Sequence, residues 1–311
     1  MASKSNLIVS LFFLFSLICV WHAARSPRSS FPSTDLIKLD DKTISSKRSL
    51  VGASVKDCIL RPSSLKKWEN FTEIIENCLA KHSKLTADDF IEFRVGRYNE
   101  SKYFLPELRE FQHDRLTACF WLTIGIGGDS EVEKQFKSAY PKCQIYGIEP
   151  SPDQHSDFSN YGTVIPLAIG LKQGMLTMRI RQGTGYNNIK VRITSLLDVL
   201  DLRIGSRLIH FATLDIEGYE YAILNALKFG KKFDRAGVSF CQIDVELHSY
   251  ANQAQAMGTG FNFNEFWLDF LANSPYIPIN SDVTYFDHRK VTLINVADSV
   301  CRTLFRFDRY F

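Results

Sequence analysis

The chain has 311 residues, 45% hydrophobic and 23% charged, with a formal net charge of +3. That length buries a full core in one domain with an added segment, or at most in two domains. So small a net charge excludes the strong basic field that nucleic-acid binding relies on, and no internal repeat or low-complexity tract interrupts the chain.

At the N-terminus, Lys4 precedes an uncharged apolar run from Leu7 to Trp21, followed by His22, Ala23 and Ala24. A basic start, a short apolar run and small residues read as a secretory signal peptide over residues 1–24. The run is shorter than the about 20 residues of a membrane span. His22 stands where a small residue is preferred before cleavage, so an uncleaved anchor is the alternative. Both readings send the body into the secretory pathway. Asn70–Phe71–Thr72 and Asn99–Glu100–Ser101 are N-glycosylation sequons. With Cys19 set aside, six cysteines remain: Cys58, Cys78, Cys119, Cys143, Cys241 and Cys301. An even number suits an oxidising compartment, and the wide spacing argues against zinc. Sequence does not choose among 15 pairings, and buried free thiols are the other reading. Cys119 and Cys143, near the starts of predicted neighbouring strands, are the first candidate pair.

Residues 25–57, rich in Ser, Lys and Asp, read as a linker or stalk. Residues 58–117 read as a helical lead-in. Leu65, Trp68, Phe71, Ile74, Ile75, Cys78 and Leu79 keep helical spacing, Ser63 or Ser64 serving as cap, and a second helix is expected around 87–93. From residue 118 to 311 strand and helix alternate. Strands are expected at 118–126, 143–148, 163–170, 207–216 and 236–248, with late strands at 276–280, 283–287 and 290–295. Helices are expected at 131–140, 151–161, 195–202, 219–227 and 263–274, and a hairpin at 174–194. Alternation with short connections argues for a doubly wound, mostly parallel α/β sheet with ligands at the carboxyl ends of its strands.

Those ends carry the polar residues. The first strand runs into Gly125, Gly127 and Gly128, but position 130 is Ser, so the third glycine of a dinucleotide fingerprint is missing. The second ends on Glu149, an acid suited to a ribose diol. The third ends near Ala168, small enough to leave room for a flat ring. The fourth ends on Asp215, with Glu217 and Gly218 following. Extended backbone puts Asp215 and Glu217 on one side, and Glu217 also suits a helix N-terminus. The fifth carries Asp244 and Glu246 on one face and reaches His248. Two acids on a strand buried on both faces need a use or partners.

In order, "TIGIGGDSEVEKQF", "IYGIEPSP", "VIPLAIG", "ITSLLDVL" and "ATLDIEGYEYAIL" resemble the FkbM-type methyltransferases, a branch of the class I S-adenosylmethionine-dependent enzymes. The resemblance covers residues of about 118–250. It implies a Rossmann-like, seven-stranded sheet whose last strand is antiparallel. It implies S-adenosyl-L-methionine as cofactor and methyl transfer, often to a hydroxyl oxygen. By the same match Gly125 and Gly127 would line the methionine part, Glu149 would hold the ribose and Ala168 would lie by the adenine. Asp215 would face the reaction centre with Glu217 in support. Thr123 stands where the family has an acid and Gly128–Asp129 where it has Asn, so Asp129 is the expected substitute contact.

Asp215, Glu217 and His248 are the candidate bases, and no metal is demanded. The acceptor is a small molecule, a glycan or a lipid, with no nucleic-acid partner and membrane contact only through an uncleaved anchor. A non-catalytic lumenal binding protein and a lumenal glycosyltransferase are the competing readings.

Overall fold

The computed structural model describes residues 51–61, 70–95, 100–107, 118–248, 261–284 and 288–311. Residues 1–24, most of the expected linker, the caps Ser63 and Ser64 and the sequon residue Asn99 lie outside them.

The lead-in is only partly helical. Helices α1 (Ala53–Ile59) and α2 (Phe71–His82) are joined by a Cys58–Cys78 disulfide. Helix α2 buries Phe71, Ile75, Cys78 and Leu79, one apolar stripe. Where a second helix was expected, the chain makes a single 3-10 turn, Ala87–Asp89, closed by a capping box between Thr86 and Asp89. Strand β1 (Ile91–Arg94) follows and pairs antiparallel with β2 (Ser101–Phe104). The apolar run there is too short to sustain a helix, and only Phe93 of β1 is buried, packed edge-on against Trp121 and Phe136.

The body then runs β3 (Phe120–Ile124), α3 (Glu131–Ala139), β4 (Gln144–Ile148), β5 (Thr163–Ile165), β6 (Ala168–Gly170), β7 (Gly174–Gln182), β8 (Gly185–Ser195) and α4 (Leu196–Val199). It continues through β9 (Leu208–Leu214), α5 (Glu220–Ala226), α6 (Lys232–Arg235), β10 (Ser239–Leu247), α7 (Phe263–Ala272), β11 (Tyr276–Val283), β12 (Arg289–Asn295) and α8 (Ser299–Phe305). Seven strands form one sheet in the order β11, β12, β10, β9, β3, β4, β5. From β5 to β10 the neighbours are parallel, whereas β12 is antiparallel to both β10 and β11. The sheet is therefore mixed rather than simply parallel. The connection from Val283 to Arg289 is too short for a crossover, so β12 returns antiparallel beside β11. This is the reversed last strand that the resemblance implies.

Three other expectations need correction. The third strand is broken at Pro166: β5 stays in the main sheet, and β6 pairs with β8 in a separate three-stranded sheet. A proline has no N–H to give a ladder, so the break falls there. Ala168 accordingly starts a strand instead of ending one. The helix expected over 151–161 is two 3-10 turns, Pro152–Gln154 and Phe158–Asn160. Val283 belongs to β11, and residues 285–287 of the expected separate strand lie outside the described residues.

Strand β10 is buried along its whole length, and the lead-in hairpin lies over it. The Gln242 amide exchanges two 2.8 Å hydrogen bonds with the Leu105 backbone. Asp244 pairs with Lys102 at 3.6 Å and Lys290 with Glu100 at 2.8 Å. One of the two strand acids is thereby spent on packing. Cys119–Cys143 joins the starts of β3 and β4, as expected, and Cys241–Cys301 ties β10 to α8.

Candidate active site

The carboxyl ends of β3, β4 and β9 are stitched together beyond their ladders. The Asp215 N–H donates to the Ile124 carbonyl at 3.0 Å, and the Gly125 N–H to the Ile148 carbonyl at 2.9 Å. Gly125 has φ +92°, and a Cβ there would stand 1.9 Å from the Asp215 carbonyl oxygen. Its absence of side chain serves the close approach of two protein backbones. After Asp215 the chain turns through Glu217 at φ 56° and Gly218 at φ 103°. A left-handed glutamate costs about 1–2 kcal/mol, held here by what its side chain meets.

Around these ends is a cavity that opens to solvent and encloses about 640 Å³ of empty space. Gly125, Gly127, Glu149, Ala168, Asp215 and Glu217 all line it. The β7–β8 hairpin forms another wall with Met178, Arg179, Ile180, Arg181 and Tyr186. Glu149 is held by backbone donors, Ser151 N–H at 2.9 Å and Gly127 N–H at 3.4 Å. Burial raises its pKa against those donors.

His248 does not line the cavity; it stands behind it, its side chain 3% exposed. Its Nδ1 is 2.8 Å from Glu220 Oε1, and its Nε2 is 3.7 Å from Asp215 Oδ1 and 3.6 Å from Glu217 Oε2. Desolvation works against the imidazolium, but Glu220 foremost, then Asp215 and Glu217, carry its pKa well above the ordinary 6.5. Asp215 is driven well above the usual carboxylate range, first by desolvation and then by the like charge of Glu246. Burial likewise raises Glu217. Glu246 is held low: burial opposes its charge, but the His288 hydrogen bond at 2.9 Å and Lys290 outweigh it. Two sets, Glu246–His248–His288 and Asp215–Glu220–His248, bring metal-ligating atoms within 4.8 Å of one another. In both, a carboxylate already engages an imidazole Nδ1.

Two site residues differ from expectation. Asp129 is not part of the cavity wall; its Oδ1 accepts the Glu131 N–H at 2.9 Å. The unsatisfied N–H groups of helix α3 claim it. Glu220 was not assigned a role, although it closes the "DIEGYE" run. It is fully buried, and its Oε1 also accepts the Ile216 N–H at 2.8 Å. An acid at the start of a helix reads from sequence as a solvated dipole partner, which conceals such a role. Only the pairing of β9 with β10 brings it to His248.

The family model of the FkbM methyltransferase domain matches residues 99–278. The chain belongs to that family. Its cofactor is S-adenosyl-L-methionine. No curated protein matches the chain. Among solved structures, M. capricolum TrmK in complex with S-adenosyl-homocysteine is 9% identical over 58% of this chain, with a TM-score of 0.31. The chain spans 63% of the length of that protein. The human methyltransferase 10 domain containing protein is 10% identical over 60% of this chain and 75% of its own, with a TM-score of 0.34. A 16S rRNA (adenine(1408)-N(1))-methyltransferase from Catenulisporales acidiphilia is 9% identical over 66% of this chain and 98% of its own, at a TM-score of 0.29.

The cavity of this FkbM domain suits that cofactor. Glu149, fixed by two backbone donors, would offer its carboxylate to a ribose diol, and Gly125 and Gly127 leave the wall beside it without side chains. Ala168 keeps the wall small near the hairpin. Asp215 and Glu217 line the same cavity.

Proposed function

We propose that this chain methylates a hydroxyl oxygen of a small-molecule, glycan or lipid acceptor within the secretory pathway. The observation that carries this reading is that Asp215 and Glu217, backed by the buried Glu220–His248 pair, line the same cavity as Gly127 and Glu149. When bound, S-adenosyl-L-methionine supplies an electrophilic methyl group on a sulfonium. Placement supplies most of the rate in such a displacement. The chain's further task is to take the hydroxyl proton. Asp215 is the group for it: 40% of its side chain is open to the cavity, and its raised pKa makes its carboxylate a stronger base than usual. His248 is shut away behind it and already carries a proton, so it acts as a positioning residue that balances the acids. Three disulfides support a lumenal setting, since such bonds persist in oxidising compartments.

A second reading, a binding protein without catalysis, draws support from Thr123. Where the family has an acid, Thr123 is buried and donates to Glu133 at 2.5 Å. Calorimetry with S-adenosyl-homocysteine, followed by incubation of the purified protein with labelled donor and a lumenal extract, separates the two. Methyl transfer requires binding that Gly127→Arg removes, with label entering an alkali-stable ether. Binding without labelling favours the second reading, and absence of binding defeats both.

A further inference from the structure

The resemblance leaves the amino-acid end of the cofactor without a charged side-chain contact, because Asp129 is taken up at the start of helix α3. The geometry points to Arg181, on strand β7, as the residue that recognises the α-carboxylate of the cofactor; this inference rests on the cofactor reading above. Arg181 lines the cavity, and its Nη1 donates to the Gly127 carbonyl at 3.2 Å, so the guanidinium is fixed against the glycine turn. Its Nε is buried and has no acceptor among the described residues. A guanidinium carries five N–H donors, so Arg181 keeps others beyond the bond to Gly127, and a carboxylate in the cavity would meet it with a charge-assisted hydrogen bond. Its neighbour Arg179 is instead paired with Glu217 at 3.7 Å; both arginines lie over the Tyr186 ring, at 5.0 Å for Arg179 and 6.0 Å for Arg181.

The cavity wall thus carries both signs, the acids Asp215 and Glu217 and, beside Gly127, the Arg181 guanidinium. A ligand with a cationic centre and a carboxylate on one chain matches such a wall. The recognition comes from a hairpin outside the main sheet, so the strand-end pattern does not reveal it.

Two ligands that differ by the amino-acid end provide the test. S-adenosyl-homocysteine carries the carboxylate, and 5′-methylthioadenosine keeps the nucleoside but lacks it. Both are titrated calorimetrically into the full chain and into Arg181→Met and Arg181→Lys. Arg181→Met is expected to weaken S-adenosyl-homocysteine roughly 10- to 100-fold. Its affinity for 5′-methylthioadenosine should stay within about threefold, which also reports that the variant is folded. Arg181→Lys should fall between, because an ammonium keeps the charge and loses the planar fork. Equal weakening of both ligands would assign Arg181 to the nucleoside or to the fold and overturn the inference. Unchanged binding of both would overturn it too. If neither ligand binds the unaltered protein, it is the cofactor reading that fails.

Discussion

Glu220 and His248 form a buried pair, Oε1 to Nδ1 at 2.8 Å, joining the first turn of α5 to the end of β10. The contact fixes which imidazole nitrogen faces the cavity acids: Nδ1 is engaged, so Nε2 points to Asp215 and Glu217. It also fixes a charge. Three carboxylates around one imidazole hold its pKa well above 6.5.

Glu220→Gln should therefore change stability in a pH-dependent way. A histidine whose folded pKa is raised stabilises the fold fully below its unfolded value of about 6.5 and loses that contribution as pH rises through the folded value. Asp215, also raised, works in the same direction. Unfolding free energy of the native protein should fall from pH 6 towards pH 9. Removing a buried partner costs roughly 3–5 kcal/mol when the charge is stranded. Here the imidazole can shed its proton, so we expect about 2 kcal/mol at pH 6, shrinking towards pH 9. Urea titrations across that range check it, and a difference that does not vary with pH would mean that the pair is not ionic.

Asp215→Asn should separate binding from chemistry. The amide keeps the shape of the cavity wall and cannot accept the hydroxyl proton. Turnover should drop about 10²- to 10⁴-fold, the ordinary contribution of a positioned base. Affinity for S-adenosyl-homocysteine, which has no sulfonium charge, should change less than about threefold. His248→Asn should instead move the pH profile of turnover, because its charge sets the basicity of Asp215. A turnover loss in Asp215→Asn matched by an equal loss of affinity would make Asp215 a binding group only.

What the sequence revealed of this site follows from how each residue is held. Gly125, Glu149 and Asp215 follow directly on parallel strands, and a strand end sits at the cleft whatever the rest of the fold does. Asp129 stands one residue past the same turn, where a short acid is equally suited to cap α3, and local capping wins over the ligand. Arg181 and Glu220 are set by tertiary contacts: a hairpin folded over the cavity, and a helix start brought beside β10. Alternation of apolar residues predicts that hairpin but not which wall it forms. The same limit hid the break at Pro166 and the hairpin β1–β2, whose four-residue strands are too short to show a period.

The glycines give a test of why the turn is glycine-rich. Gly125 and Gly205 both have positive φ, +92° and +75°, but only at Gly125 would a Cβ meet protein, the Asp215 carbonyl oxygen at 1.9 Å. Gly205→Ala has open space and should cost about 1 kcal/mol, the backbone penalty alone. Gly125→Ala must push the ends of β3 and β9 apart, so it should cost upwards of about 3 kcal/mol and weaken cofactor binding as well. Melting temperatures and S-adenosyl-homocysteine titrations on both variants compare the two. Equal effects would show that the backbone conformation, and not the approach to Asp215, requires glycine at position 125.

The disulfides bear on where the protein can fold. Cys241–Cys301 closes 60 residues between the buried strand β10 and helix α8, and Cys58–Cys78 closes 20 within the lead-in. In the chain-entropy account the longer loop is worth about 4 kcal/mol and the shorter about 3 kcal/mol. Stability of an ordinary domain is roughly 5–15 kcal/mol, so losing the longer one alone removes a large fraction. Cys241 and Cys301 are both fully buried, and two free thiols there would also loosen the packing of α8 on the sheet. The Cys241→Ala/Cys301→Ala double variant should melt at least about 8 °C lower than the native protein. The Cys58→Ala/Cys78→Ala pair should lose less. Expression in a reducing cytosol should give protein that unfolds at far lower urea concentration than the same chain made in an oxidising compartment, with free thiols counted by alkylation. Identical urea midpoints for the oxidised and reduced chains would remove the support that these bonds lend to a lumenal setting.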